Sequence, residues 1–340
     1  DSRLQYLLYK ELEKAGRLQK ARWSTGMIVD VQTGEVLALS TWPSFNSNNL
    51  NEMTGENQRN RALLDVFEPG SVMKPFTVAA ALDSGKYTPT TLIDTNPGSI
   101  RVRGYTIRDH NNLGMINMAT LLQKSSNVAS TKIALSLPPE AITNMQKQFG
   151  FGTKTPLQFP GEGSGLIVTP KEKETSRRAT VSYGYGLQVT LAQVAQAYSA
   201  LAAGGVMHPL TLIKNDKPQP SKRIMAREQA MSIVQMLESV TEPGGTAKAA
   251  AIDGYRVAGK TGTSRRINPE GGYYTDQYRN VFAGMAPASN PKLVGVMLIE
   301  DPRGQIYAGL TVAPVFHNVM KEALRLYNVP LDKPLKTEPQ

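Results

Sequence analysis

The sequence contains no cysteine, and its only histidines are His110, His208 and His317, spread over 340 residues. The first absence excludes a disulfide framework, a thiol nucleophile, a thiolate zinc site and a Cys-ligated iron–sulfur cluster. It leaves the redox compartment open, because a chain without thiols is safe in either. A three-histidine metal site would need every histidine, and no HExxH spacing sets two of them on one helix. A Ser-His-Asp triad is not excluded, but the GxSxG turn that presents a nucleophilic serine is missing. No run of about 18 apolar residues occurs, so no segment reads as a membrane span. No signal peptide is seen either, and a chain that begins at Asp1 is expected to be a fragment or processed form.

Acidic residues are also in deficit, 28 against 38 Lys and Arg, for a net charge of +10. The basic residues are scattered, with adjacent pairs such as Arg177-Arg178 and Arg265-Arg266, and no nucleic-acid motif accompanies them. The charge therefore reads as a solvated surface facing anionic material such as membrane or cell wall, not as a nucleic-acid site. A hydrophobic share of 40% and this length suit a folded chain of one large domain or two ordinary ones.

Leu4, Leu7, Leu8 and Leu12 have helical spacing, with Gly16 as the expected stop. Met27–Val31 and Val36–Ser40 read as a β-hairpin across a Gly-containing gap. From about residue 60 to 245 the pattern is mostly helical, over Ser71–Leu82, Met118–Leu135, Pro139–Phe149, Thr190–Ala203 and Ala226–Val240, each ended by Ser, Gly or Pro signals. Gly150 to Arg178 reads as a long loop. Strands are expected at Tyr255–Gly259, Val281–Met285 and Leu293–Ile299, then a helix over Pro314–Tyr327 and a loose polar tail over 330–340. The expectation is an α+β fold. An antiparallel sheet of about five strands would be flanked by terminal helices, with a helical lobe (about 60–245) inserted between its strands, the whole spanning 1–329.

Phe67-Glu68-Pro69-Gly70-Ser71-Val72-Met73-Lys74 is the most informative stretch. Pro-Gly breaks the chain before a helix, so Ser71 stands at its start and Lys74 shares its face at i+3. A serine hydroxyl needs a base, and an amine serves if desolvation, nearby cations or a helix N-terminus lower its pKa. The free amides of that helix start also suit an oxyanion. The bland alternative is a capping serine and a surface lysine, and the same SxxK spacing recurs at Ser289–Lys292 in a turn. Lys260-Thr261-Gly262-Thr263 reads as an edge strand. Lys260 would supply positive charge, Thr261 and Thr263 would bind a carboxylate, and Gly262 would let a substrate backbone approach. Ser125-Ser126-Asn127 interrupts a helical pattern and suggests a local break or polar cavity.

SxxK, SxN and KTG in this order, 54 and then 135 residues apart, resemble the penicillin-recognising serine acyltransferases. The closer resemblance is to class B penicillin-binding proteins of the septal, cell-division type of Gram-negative bacteria. It rests on Phe67–Ser71 with Lys74-Pro75-Phe76, Lys124–Asn127, Tyr183-Gly184-Tyr185-Gly186, Ala313-Pro314-Val315-Phe316 and Arg59-Asn60-Arg61, and covers roughly Asp1 to Val329. The resemblance implies a peptidoglycan D,D-transpeptidase without metal or organic cofactor. Ser71 would attack the penultimate D-Ala carbonyl of a stem peptide, with Lys74 as base and the N–H groups of Ser71 and Thr263 holding the oxyanion. Ser125, with Lys260, would relay the proton, and Asn127 would bind the acyl amide. Thr261 and Thr263 would grip the carboxylate beside Gly262, and Tyr183, Tyr185 and Tyr307 would wall the cleft. Ala308 departs from the aromatic-Gly-Gly run often found there. β-Lactam antibiotics would acylate Ser71.

Implied partners are peptidoglycan stem peptides and division-machinery membrane proteins, among them a septal glycosyltransferase, reached mainly through an absent N-terminal region. That region would anchor the domain at the periplasmic face of the inner membrane. Alternatives of the same fold are a serine β-lactamase, for which Glu162, Glu172 and Glu174 in the long loop are the available bases, and a β-lactam sensor. A catalytically idle scaffold is a further alternative, against which the three intact motifs argue.

Overall fold

The computed structural model describes residues 1–214, 217 and 219–335. Helix α1 (Ser2–Leu18) starts at an Asp1 cap whose carboxylate accepts from the Arg3 amide, and Leu4, Leu8 and Leu12 form its buried stripe. The helix does not stop at Gly16. A Cβ there would stand 2.3 Å from Trp42 Cε3, so this glycine permits close packing. The hairpin is present as β1 (Trp23–Asp30) and β2 (Val36–Trp42), with Asp30 Oδ1 accepting from the amides of Gln32 and Thr33 in its turn.

Three further strands, β3 (Ala258–Ile267), β4 (Tyr273–Ala286) and β5 (Leu293–Glu300), come from the end of the chain. The five strands form one antiparallel sheet in the order β2-β1-β5-β4-β3, which leaves β3 at an edge. This is the expected α+β architecture. Between β2 and β3 long loops outweigh the helices that the sequence pattern led one to expect, and the helices there include α2 (Lys74–Asp83), α3 (Met118–Lys124), α4 (Asn127–Ser136), α5 (Thr175–Val181) and α6 (Leu191–Ala202); α7 (Ala313–Leu326) follows β5. All residues of β5 and of α6 are buried, so the sheet is covered on both faces. The terminal helices α1 and α7 pack on each other and on the sheet, while α6 packs against β1, β4 and β5. Gly284 and Gly295 pair across β4 and β5, and a Cβ at either would press on Phe316, so the bare backbone makes room for that ring.

Several elements differ in extent from the sequence pattern. The helix expected from Ser71 is a 3-10 turn, Gly70–Met73, that becomes α-helical at Lys74. The single helix expected over 118–135 is two, because Ser125 adopts a left-handed conformation (φ 59°, ψ 45°) and ends α3. The edge strand begins at Ala258 and not Tyr255, which sets Lys260–Thr263 inside it. The loop from Gly150 closes into α5 at Thr175. The start of the tail is tied down: Asp332 accepts from the Arg256 amide at 2.7 Å and from Ser289 Oγ at 2.6 Å, and Leu331 and Leu335 pack over Gly254. The tail's last residues, 336–340, lie outside the described residues. No helix among the described residues is long and apolar enough to cross a membrane.

Candidate active site

Pro69-Gly70 turns the chain so that Ser71 heads the 3-10 turn, half-buried, with Lys74 one turn behind it and fully buried. Lys74 Nζ lies 3.0 Å from Ser71 Oγ, 3.0 Å from Ser125 Oγ, 2.8 Å from Asn127 Oδ1 and 2.5 Å from the Ser125 carbonyl oxygen. A neutral amine has two N–H donors and one lone pair. The two carbonyl acceptors, Ser125 O and Asn127 Oδ1, take the donors, and the lone pair is left for a hydroxyl proton. Burial, and then the charge of Lys260, hold Lys74 well below the usual lysine range, against an opposing pull from Asp109.

The break at Ser125 is built by side chains. Its left-handed backbone turns the chain out of α3, and Ser126 then caps α4, accepting from the Ala129 amide at 2.9 Å. Asp109 completes the cap. Its carboxylate accepts from Ser126 Oγ at 2.6 Å and from the amides of Asn127 and Val128 at 2.6 and 3.0 Å. A carboxylate at a helix N-terminus is favourable twice over, by hydrogen bonding and by the helix dipole. Sequence reasoning missed Asp109: it lies in a polar stretch 17 residues before its partner Ser126, and no local pattern links the two. Asp109→Ala is expected to destabilise the fold by about 1–2 kcal/mol, the worth of a helix cap, read as a lower midpoint in thermal unfolding; Asp109→Asn, which keeps one acceptor, should recover part of it.

Lys260 approaches from the edge strand. Its Nζ stands 3.0 Å from Ser125 Oγ and 3.2 Å from the Thr261 carbonyl oxygen, with no exposed surface. Burial pushes its pKa down to about 7. Ser125 Oγ is thus shared by two desolvated amines, Lys74 on one side and Lys260 on the other. The same burial opposes folding. Lys260 binds its proton at about pH 7 when folded and at 10.5 as an ordinary lysine. In that window the unfolded chain holds more protons, so stability rises with pH. Lys260→Met is therefore expected to raise the melting temperature at pH 6, with a gap that narrows toward pH 10. A lower melting temperature at pH 6 would show that the amine's hydrogen bonds outweigh its desolvation.

The motif around Gly262 fits tightly under the serine turn. A Cβ at Gly262 would lie 2.6 Å from the Pro69 carbonyl oxygen, and one at Gly70 would lie 3.8 Å from that of Thr263. Thr261 Oγ1 meets Thr246 Oγ1 at 2.8 Å, and Thr263 Oγ1 accepts from the Ala308 amide at 3.1 Å, which leaves its own O–H free to donate. Ala308, the departure from the aromatic-Gly-Gly pattern, is buried and uses its amide this way. Tyr183 and Tyr185 have ring centroids 5.9 Å apart, and Tyr185 stacks edge-on to Tyr273 at 5.8 Å. Tyr307 stands apart from that group, half exposed, against His110 at 6.2 Å.

The Tyr183–Gly186 turn is also fastened to the nucleophile. The Gly70 amide donates to the Gly184 carbonyl at 3.0 Å, and the Gly186 amide donates to Glu68 Oε1 at 2.7 Å. At Gly184 (φ +87°) a Cβ would lie 2.0 Å from the Gly70 carbonyl oxygen, so both the conformation and the contact require glycine. The carboxylates of the long loop have partners close to them in sequence, although Glu162 Oε2 is buried without one among the described residues. Glu162 accepts from Thr155, Glu172 pairs with Arg178, and Glu174 accepts from the Lys171 amide and pairs with Arg177.

Residues 24–321 match the family described as the penicillin-binding protein transpeptidase domain. The chain belongs to that family. It is similar to the peptidoglycan D,D-transpeptidase FtsI of Escherichia coli (strain K12), 41% identical over 333 residues, which cover 98% of this chain and 56% of that protein. It is 37% identical over 336 residues to the probable peptidoglycan D,D-transpeptidase PenA of Neisseria flavescens, covering 98% of this chain and 83% of the relative. Among solved structures, the transpeptidase domain of Burkholderia pseudomallei penicillin-binding protein 3, without ligand, superposes with a TM-score of 0.88 at 40% identity, over 98% of this chain and 97% of that one. The chain thus spans little more than half of the E. coli relative's length.

Proposed function

We propose that this chain is the acyl-transferring domain of a peptidoglycan D,D-transpeptidase of septal cell-wall synthesis, inhibited covalently by β-lactams. One observation carries the reading: a fully buried lysine amine, Lys74, lies 3.0 Å from both Ser71 Oγ and Ser125 Oγ, and a second buried amine, Lys260, lies 3.0 Å beyond Ser125. In the acylation step Lys74 takes the Ser71 proton as Oγ attacks the penultimate D-Ala carbonyl carbon. The amides of Ser71 and Thr263 hold the oxyanion. Collapse breaks the peptide bond, and the departing D-Ala amine receives a proton through Ser125, supported by Lys260. The amine of a neighbouring stem then attacks the acyl-enzyme, loses its proton along the same path, and returns Ser71 to the free hydroxyl.

Asn127 binds the acyl amide, and the hydroxyls of Thr261 and Thr263 take the terminal carboxylate beside Gly262. Tyr183 and Tyr185 form one wall of the cleft and Tyr307 stands at the other. On this reading the domain works at the periplasmic face of the inner membrane, beside division-machinery membrane proteins that include a septal glycosyltransferase.

The test is intact-protein mass during incubation with a simple penicillin, followed over hours, with the adduct located by peptide mapping. A persistent adduct on the peptide that holds Ser71 is the expected outcome. An adduct that vanishes while penicillin is consumed would identify a hydrolase, and no adduct would overturn the acyl-transfer reading.

A further inference from the structure

Tyr198 is the largest fully buried side chain among the described residues, and the acylation chemistry above does not use it. Its hydroxyl donates to the Val72 carbonyl oxygen at 2.8 Å, so a residue of α6 reaches into the turn that carries Ser71. Burial pushes its pKa well above the usual tyrosine range and keeps the hydroxyl a donor at neutral pH. The ring stands edge-on to Phe76 at 5.7 Å, and Phe76 packs in turn against Phe149 and Phe151, each at 5.0 Å. Packing therefore aims the hydroxyl.

Val72 needs this donor for a reason written in the sequence. It stands between two hydrogen-bond ladders. The 3-10 turn covers Gly70–Met73, and α2 opens at Lys74 with Met73 as its N-cap, so the helix ladder begins one residue after Val72. In a longer 3-10 turn the Val72 carbonyl would accept from the amide of residue 75. That residue is Pro75, which has no N–H. A buried carbonyl left without a donor is costly. Tyr198 supplies the donor from 126 residues further along the chain.

The consequence lies in how Ser71 faces Lys74. Side chains three residues apart eclipse each other in a 3-10 turn, whereas in an α-helix they are offset by about 60°. The tighter turn is what brings Ser71 Oγ and Lys74 Nζ to 3.0 Å. We infer that Tyr198 is a positioning residue for acylation: its hydroxyl holds the serine turn in the 3-10 form that lines Ser71 up with Lys74. Without that hydroxyl the Val72 carbonyl is left to the Phe76 amide, four residues on. The α-helix then extends back through Met73, and Ser71 rotates away from the amine. The inference deepens the acyl-transfer reading and rests on it.

The experiment separates the rate of the acylation step from the affinity of the complex that precedes it. Acylation of Ser71 by benzylpenicillin is followed by intact mass over a range of concentrations, at a temperature where every variant is folded. Tyr198→Phe keeps the ring and its packing and removes only the hydroxyl. Its limiting rate should fall about tenfold or more, the scale on which misplaced reacting groups slow a reaction, while the half-maximal concentration stays within about threefold of the wild type's. Tyr255→Phe is the control. It removes a hydroxyl that donates to the Val329 carbonyl oxygen at 2.7 Å, outside the serine turn, and should leave both constants unchanged. Pro75→Ala is the rescue. In Tyr198→Phe/Pro75→Ala the amide of residue 75 can bond the Val72 carbonyl, and much of the lost rate should return. A wild-type limiting rate in Tyr198→Phe would overturn the inference, as would slowing that Pro75→Ala leaves uncorrected. A higher half-maximal concentration at an unchanged limiting rate would also overturn it, by showing that the hydroxyl serves binding and not alignment. Equal slowing in Tyr255→Phe would do the same, by tracing the effect to a general loss of packing. A wild type that forms no adduct would bring down the acyl-transfer reading itself, and this inference with it.

Discussion

Ser71→Ala is expected to take up no penicillin at all while melting within a few degrees of the wild type. The loss is complete because the substitution removes the only atom proposed to bond to the β-lactam carbonyl, and alanine offers nothing in its place. The fold should survive because the hydroxyl is half-buried and its partner loses little. Lys74 keeps the Ser125 carbonyl, Ser125 Oγ and Asn127 Oδ1 as neighbours. One unmade hydrogen bond costs about 1 kcal/mol, and catalytic serines are seldom placed for stability. Intact mass and thermal unfolding on the same sample separate the two effects. An adduct of unchanged stoichiometry on the variant would remove Ser71 from its role. A loss of adduct together with collapse of the melting transition would show that the hydroxyl is structural.

The sheet was legible in the sequence because its strands carry uninterrupted apolar runs that a covered sheet demands, as in Leu293–Glu300. The terminal helices were legible from their stripes. What escaped depends on distance in space. Gly16 has the local signature of a helix stop, yet Trp42 decides its role from a strand that the helix packs against. Ser125-Ser126-Asn127 signals a break in a helix, but only the left-handed backbone of Ser125 and the distant Asp109 explain how the chain is turned and recapped. Tyr273 joins the Tyr183 and Tyr185 rings through a strand pairing that no periodicity announces. The five polar residues Ser71, Lys74, Ser125, Asn127 and Lys260 were each ambiguous in one dimension. Their convergence around the Lys74 amine and Ser125 Oγ is a property of the fold, and it removes the reading of Lys74 as an ordinary surface lysine.

Lys74→Met is expected to slow acylation of Ser71 by about 10³-fold, the middle of the range for a positioned general base, without loss of stability. Methionine has a similar length and no charge, so the packing around a residue with no exposed surface is largely kept. What is lost is the acceptor for the Ser71 proton. The pH profile tells this apart from mere disturbance of the site. Lys74 must be neutral to act as the base, so the wild-type rate should rise with pH through its depressed pKa, which lies well below the lysine range. Loss of the Lys260 proton near pH 7 should act the other way and lower the rate, because the relay then has no donor. Lys74 thus sets the limb that rises with pH, here the acid limb, and Lys260 the limb that falls, the alkaline one. In Lys74→Met the acid limb should disappear and the alkaline limb remain. A variant that acylates within tenfold of the wild type, or that keeps both limbs, would assign the base to another group. A general slowing with an intact acid limb would mean that the amine only holds Ser125 and Asn127 in place. Acylation depends on a proton leaving Ser71 in a site where desolvation has already made one amine ready to take it.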